Sequence, residues 1–203
     1  MTRKEQKEER KQKILMTALT LFVDRGYHDT KIADIAAAVP MSTGLMFHYF
    51  ESKEELLLEL VKMGAASTKA ASGAGGDGSG AEGADAAKMA QIPPHIYLEK
   101  FLEQLFSYAK DQPWVFKMFV LMGQARRNGM PEEARQVALS VDAIDSTALL
   151  IKKGQKDGVF RDGDAKLLSR CFWASVQGVM EEMAIDKEMK IPDPKWIMSI
   201  ILK

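Results

Sequence analysis

From Ile14 onward the apolar residues Ile14, Leu15, Ala18, Leu19, Phe22 and Val23 recur at steps of three and four. That spacing predicts a helix with one buried stripe, ended by Gly26. Asp29 and Thr30 are placed to cap a short second helix, Lys31 to Val39, with Ile32, Ile35, Ala36 and Val39 inward, and Pro40 closes it. A third short helix starts at Ser42 or Thr43. In it Met46 and Phe50 share one side while Thr43 and Phe47 share another, and Phe50 reads as core. The run Ser52-Lys53-Glu54-Glu55 has the form of a capping box and opens a fourth helix through Leu56, Leu57, Leu60 and Val61.

The helical pattern returns after Pro93-Pro94, with Ile96, Phe101, Leu102, Leu105, Phe106 and Ala109 on one side of a helix that stops before Pro113. Further helices are predicted from Trp114 to about Asn128, from Pro131 continuously to Ile151, from a cap at Asp164 through Leu168, Phe172, Val176 and Met183, and from Asp193-Pro194 to Lys203. No alternating strand pattern of useful length interrupts them. The chain is therefore all-α.

Composition changes this picture in one place. Seven of the fifteen glycines fall between Gly64 and Gly83. The alanine-rich part up to Ser72 can extend the fourth helix, whereas Gly73 to Gly83 reads as a mobile linker. Gly73, Gly75 and Gly78 match the G-x-G-x-x-G spacing of a dinucleotide loop, but no strand precedes them, so the match is compositional. The expected organisation is a three-helix helix-turn-helix head with its N-terminal arm over residues 1–52, a connecting helix and Gly/Ala-rich linker over 53–92, and a C-terminal helical domain over 93–203.

Charge narrows the candidate chemistry. Lys plus Arg and Asp plus Glu both total 28, so bulk charge draws the chain neither to nucleic acid nor to an acidic membrane. Local charge differs: Arg3 to Lys13 is net +3 and reads as a frayed basic extension, equally a solvated start to the helix or a phosphate-contacting arm, whereas Asp24 to Lys62 is net −3. One cysteine, Cys171, excludes an internal disulfide and a cysteine-rich zinc site and fits a reducing compartment, with the cytoplasm expected. No apolar run approaches a membrane span. His28, His48 and His95 lie far apart with no H-E-x-x-H or G-x-S-x-G motif, so neither an enzyme nor a metal or other cofactor is expected.

Short helices joined by a four-residue turn and followed by a long connecting helix form a helix-turn-helix unit by element lengths alone. The segments Ile14 to Phe22, Arg25-Gly26-Tyr27, Thr30 to Ala36 and Gly44 to Leu56 resemble the N-terminal domain of TetR-family transcriptional regulators. Ile151 to Arg161 is similar to the segment between two late helices of that family. The resemblance implies a head that binds an operator in double-stranded DNA, with Thr43, Gly44, Leu45, Phe47 and His48 at groove-facing positions. Thr43, Phe47 and His48 are the expected base contacts, with Phe47 against a thymine methyl. Thr30, Lys31, Ser42, Tyr49 and Lys53 are the expected phosphate contacts. Where the family has glycine in the turn this chain has Pro40, whose ring fixes φ near −65°. A differently shaped turn and an extended Val39 are the consequence expected.

The resemblance also implies a C-terminal domain that dimerises and senses a small apolar or amphipathic effector. Phe101, Leu105, Tyr108, Met118, Phe119, Met122, Phe172 and Ser175 are the candidate pocket residues, because methionine and phenylalanine adapt to irregular apolar ligands. Trp173, Val176, Gln177, Met180, Trp196, Ile197, Ile200 and Ile201 are the candidates for a homodimer interface, which reading a palindromic operator requires. Effector binding would shift the fourth helix and change the spacing of paired recognition helices. Together these give a ligand-responsive regulator, more often a repressor in this family. A helical adaptor that uses its apolar last helix to bind another protein is the alternative.

Overall fold

The computed structural model describes residues 2–71 and 92–203. The Gly73 to Gly83 segment lies outside them. Among the described residues the secondary structure is helical, with α1 (Arg3–Arg25), α2 (Ile32–Ala38), α3 (Thr43–Met46), α4 (Lys53–Ala71), α5 (Pro94–Asp111), α6 (Trp114–Ala125), α7 (Glu132–Leu139), α8 (Ala143–Lys156), α9 (Ala165–Ile185) and α10 (Pro194–Met198). One isolated antiparallel bridge joins Phe160 and Leu202. No described helix is long and apolar enough to cross a membrane.

Two compact units result, and neither is a continuous stretch of chain: the first comprises Met1–Ala65 with Trp114–Ser140, the second Ala66–Pro113 with Val141–Lys203. In the first, the stripe of α1 buries Ile14, Leu15, Ala18, Leu19 and Phe22 against Ile35, Met46, Phe50, Leu56, Leu57, Leu60 and Val61. Helix α6 closes this core with Met118, Leu121 and Ala125, and α7 adds Ala134 and Ala138. A Lys117–Asp24 ion pair at 2.7 Å ties α6 to the end of α1. Gly64 permits close packing: a Cβ there would come within 2.7 Å of the Met122 sulfur.

In the second unit α8 and α9 pack along their lengths and α5 and α10 lie against them. Its core holds Leu98, Leu102, Phe106, Ile151, Phe160, Phe172, Val176, Met180, Ile197 and Ile201. Arg161 fastens the C-terminus by donating to the carbonyls of Ser199 and Leu202.

Several helix ends differ from the sequence expectation. The basic extension is not frayed: α1 is helical from Arg3, started by a capping box in which Thr2 and Glu5 satisfy each other's backbone N–H. The predicted helix from Pro131 to Ile151 is two, because the Asp142 carboxylate accepts from Asp145 N–H at 2.9 Å and starts α8 afresh. The last helix stops at Met198 rather than Lys203. Asp164 caps α9 as expected, accepting from the N–H groups of Leu167 and Lys166, which hold its carboxyl below the ordinary aspartate range.

Candidate DNA-reading head

The site is built on α3, which is four residues long and is stabilised less by its own hydrogen bonds than by its anchors. Ser42 caps it, its hydroxyl accepting from Leu45 N–H at 3.2 Å. Met46 and Phe50 are buried beneath it. Holding the inward residues fixes the outward ones: Thr43, Gly44 and His48 are exposed, Leu45 is 37% exposed and Phe47 51%. All five expected groove-facing residues thus share one solvent-facing segment. A Cβ added at Gly44 would meet nothing within 4 Å, so the fold itself does not demand glycine there.

The expected phosphate contacts divide. Lys31 and Ser42 are exposed and Tyr49 is half-buried. Thr30 is fully buried and its hydroxyl sits 2.8 Å from the Gly26 carbonyl and 3.2 Å from that of Leu21, so that side chain is a structural tie and not a phosphate ligand. Nor does Thr30 or Asp29 cap α2: Lys31 is the N-cap, and the Asp34 carboxylate accepts its N–H at 2.8 Å. Lys53 is likewise committed inward. Its ammonium donates to the carbonyls of Tyr27 (2.9 Å), Thr30 (3.0 Å) and His28 (3.4 Å), which uses all three of its N–H groups, and it lies 4.3 Å from the Tyr27 ring centroid.

Those bonds expose a structural hub that sequence spacing did not single out. Tyr27 packs edge-on against Phe22 at 5.3 Å and donates its hydroxyl proton to Glu54 at 3.2 Å. Burial, reinforced by the Glu54 charge, pushes its phenol far above the ordinary tyrosine range. Tyr27, Lys53 and Glu54 together lock the start of α4 to the α1–α2 loop. A tyrosine following a helix-ending glycine was the available sequence signal, but its partners lie about 26 positions on and spacing alone cannot pair them.

The turn ahead of α3 also departs from expectation. Pro40 stands at φ 28°, on the positive side that its ring resists, and Val39 is at φ −94°, ψ 15° rather than extended. Met41 N–H reaches the Ala36 carbonyl at 3.0 Å, a bond of the Schellman type. Proline therefore holds the positive-φ place of a turn that makes the longer Schellman bond, and Val39 is not extended.

Of the candidate pocket residues, Met118, Phe119 and Met122 belong to the first unit and Phe101, Leu105, Tyr108, Phe172 and Ser175 to the second. Met118 and Phe172 are core, Tyr108 is 54% exposed, and the Ser175 hydroxyl donates to the Cys171 carbonyl of its own helix. Two surface grooves of about 360 and 350 Å³ occur in the first unit, and none of these eight residues lines either. The interface candidates need correction. Val176, Met180, Ile197 and Ile201 are buried within their own unit, because that face of α9 packs on its neighbours. The Trp173 indole N–H is engaged by Thr147 Oγ1 and the Ala143 carbonyl, and Gln177 donates to Glu181. Ile200 is half-buried; Trp196 is 70% exposed. The solvent face of α9 instead carries Leu167, Cys171, Ala174, Gly178 and Ile185.

Comparison with known proteins agrees with this architecture. Residues 14–60 match the family model for bacterial regulatory proteins of the tetR family. The chain is 40% identical over 55 residues to the HTH-type transcriptional regulator HbdR of Aromatoleum sp. (strain CIB), covering 27% of this chain and 24% of that one. It is 36% identical over 53 residues to the HTH-type transcriptional repressor KstR2 of Mycolicibacterium smegmatis, 26% of each. The matched stretch thus spans about a quarter of these relatives' length. The crystal structure of the MbdR regulator from Azoarcus sp. CIB superposes with a TM-score of 0.75 at 23% identity, over 95% of this chain and 97% of that one. Residues 14–60 are thus similar to the N-terminal domain of the tetR family of bacterial regulatory proteins, and the all-helical fold is that of TetR-family transcription regulators.

Proposed function

We propose that the protein is a transcriptional regulator, most simply a repressor, that binds a palindromic operator as a homodimer through α3 and is released by a small apolar or amphipathic effector. One observation carries the DNA-binding part: Leu45 and Phe47 are left in solvent beside Thr43, Gly44 and His48 while Met46 and Phe50 hold the segment from beneath. Exposed apolar side chains among small polar ones suit base edges and thymine methyls in a major groove. HbdR and KstR2, named as transcriptional regulators, share this N-terminal region.

The dimer reading rests on the second unit. Along α9 the exposed residues Leu167, Cys171, Ala174, Gly178 and Ile185 recur at steps of three, four and seven, and Leu149 on α8 is 68% exposed. An apolar helix face left uncovered suits an isologous contact with a second copy. The effector reading rests on the methionine- and phenylalanine-rich composition of the helices after His95.

Selection from a random duplex library with the full-length protein tests the reading. Enrichment of a near-palindrome is expected. On that duplex the double variant Thr43→Ala, His48→Ala should bind at least tenfold more weakly, since each base contact contributes about 1–3 kcal/mol of discrimination. Binding to unrelated duplex and the circular dichroism spectrum should not change. No enriched sequence, or a variant as selective as the wild type, overturns the reading.

A further inference from the structure

The first turns of α1 carry a feature that recognition through α3 leaves unused. Arg3, Lys7 and Lys11 follow each other at steps of four, with Lys4 and Arg10 three residues to either side of Lys7. At 100° per residue all five fall within an arc of about 120°. Glu5 and Glu9 occupy the opposite side and Glu8 flanks the arc beside Lys4. The basic arc is continuous with the stripe of Ile14, Ala18 and Phe22 that is buried further along the same helix. Its direction is therefore set by the core of the head.

Two contacts anchor this arc beside the recognition segment. The Lys11 ammonium lies 5.5 Å from the centroid of Phe50, three residues beyond Phe47, and 3.6 Å from Glu59 of α4. Beyond that point, among the described residues, Arg3, Lys4, Lys7 and Arg10 are exposed and make no ion pair. The capping box at Thr2 and Glu5 keeps their backbone helical from Arg3 onward. Eight residues of helix carry Arg3 about 12 Å past Lys11, a reach of more than one phosphate along a strand that carries one about every 3.4 Å of duplex axis.

We propose that this half-helix is a preformed basic strut that grips the DNA backbone beside the half-site read by α3, with Arg3, Lys4, Lys7 and Arg10 as its phosphate ligands. The proposal rests on the DNA-binding reading above. Charge complementarity selects the occupant, since four unpaired cations on one helix face match an anion repeated along a backbone. Need reinforces it: Asp24 to Lys62 is net negative and Lys53 is spent inside the fold. The strut adds sequence-independent affinity to the little that Lys31, Ser42 and Tyr49 can supply.

The test uses the full-length protein and two duplexes, the selected site with and without flanking base pairs. The variant R3Q/K4Q/K7Q/R10Q keeps Thr2 and Glu5. K152Q/K156Q/K187Q/K190Q removes the same charge from exposed lysines of the second unit as a control. Across a salt series, the strut variant on the long duplex should show a dependence of log affinity on log salt shallower by about 3–4 per protomer, at about 0.9 per lost phosphate contact. Sequence preference should be unchanged. The wild type should fall toward the variant on the trimmed duplex, and the charge-preserving R3K/K4R/K7R/R10K should behave as wild type.

A strut variant indistinguishable from the control overturns the proposal, as does one that loses sequence preference. If the charge-preserving variant also binds weakly, helix integrity rather than charge is responsible and the proposal again fails. A wild type that binds every duplex alike, with its salt slope still dependent on the strut, sinks the regulator reading and leaves the strut as a general DNA contact.

Discussion

Two helices of this protein end on the same hydrogen-bonded turn, built from opposite materials. After α8, Gly158 takes φ 74°, its N–H reaches Gln155 O at 3.0 Å, and Val159 N–H reaches Gly154 O at 2.9 Å, so both bonds of a Schellman stop are made. After α2, Met41 N–H makes the corresponding long bond to Ala36 O at 3.0 Å, but the left-handed place is held by Pro40, which has no N–H for the second bond. The α8 turn feeds Phe160 into the core of the second unit. The α2 turn feeds the segment proposed to read DNA. The contrast separates a turn that serves packing from one whose strain sits at the proposed site, where strained backbone tends to be retained.

The largest effect is expected where packing governs. Phe160 lies so close over Gly154 that a Cβ there would come within 2.3 Å of the ring, and the ring is fully buried with nowhere to retreat. Gly154→Ala should destabilise by about 3 kcal/mol, at the upper end of overpacking costs. Denaturant titration that followed the second unit and found a loss under about 1 kcal/mol would show that this turn is not packing-determined.

At the other turn the sign reverses. Pro40→Gly relieves the positive φ and restores a donor for the Ala37 carbonyl, against which stands the greater freedom of glycine in the unfolded chain. A net gain of about 1–2 kcal/mol is expected, a rise of roughly 2–8 °C in Tm for a chain of this length. If the strain sets the angle of α3, the stabilised protein should also bind its selected duplex less tightly. A fall in Tm would mean that proline suits this turn after all.

The same contrast marks what the sequence could disclose. Gly26 is legible as a helix stop, because glycine is the residue that tolerates its conformation, whereas the helix expected to end at Ile151 runs on to Lys156 and stops at Gly158. Periodicity located α1, α4 and α9 because each buries one continuous stripe. It failed where a short polar interruption outweighs apolar spacing, as at Asp142, and where a residue takes a conformation against its preference, as at Pro40. In the head, the outward residues of α3 were readable from the anchoring pair Met46 and Phe50. The inward commitment of Thr30 and Lys53 was not, since a hydroxyl and an ammonium look alike in sequence whether they face phosphate or a neighbouring carbonyl. The buried interface candidates Val176, Met180, Ile197 and Ile201 failed for a related reason: Val176 and Met180 mark the more apolar face of α9, and that face is the one the protomer buries itself.

The smallest expected effect sharpens the comparison most, because it isolates backbone conformation from packing. A Cβ at Gly158 would meet no atom within 4 Å, so Gly158→Ala adds no clash and removes no hydrogen bond. Only the cost of holding an L-residue at φ 74° remains, about 1 kcal/mol. The measured loss in Tm then calibrates what left-handed geometry costs in this fold, and the gain at Pro40→Gly should exceed it, since proline lacks both the torsional freedom and the N–H that alanine keeps. Should Gly158→Ala cost more than Pro40→Gly gains, the proline turn is the more relaxed of the two, and its place beside α3 reflects geometry and not stored strain.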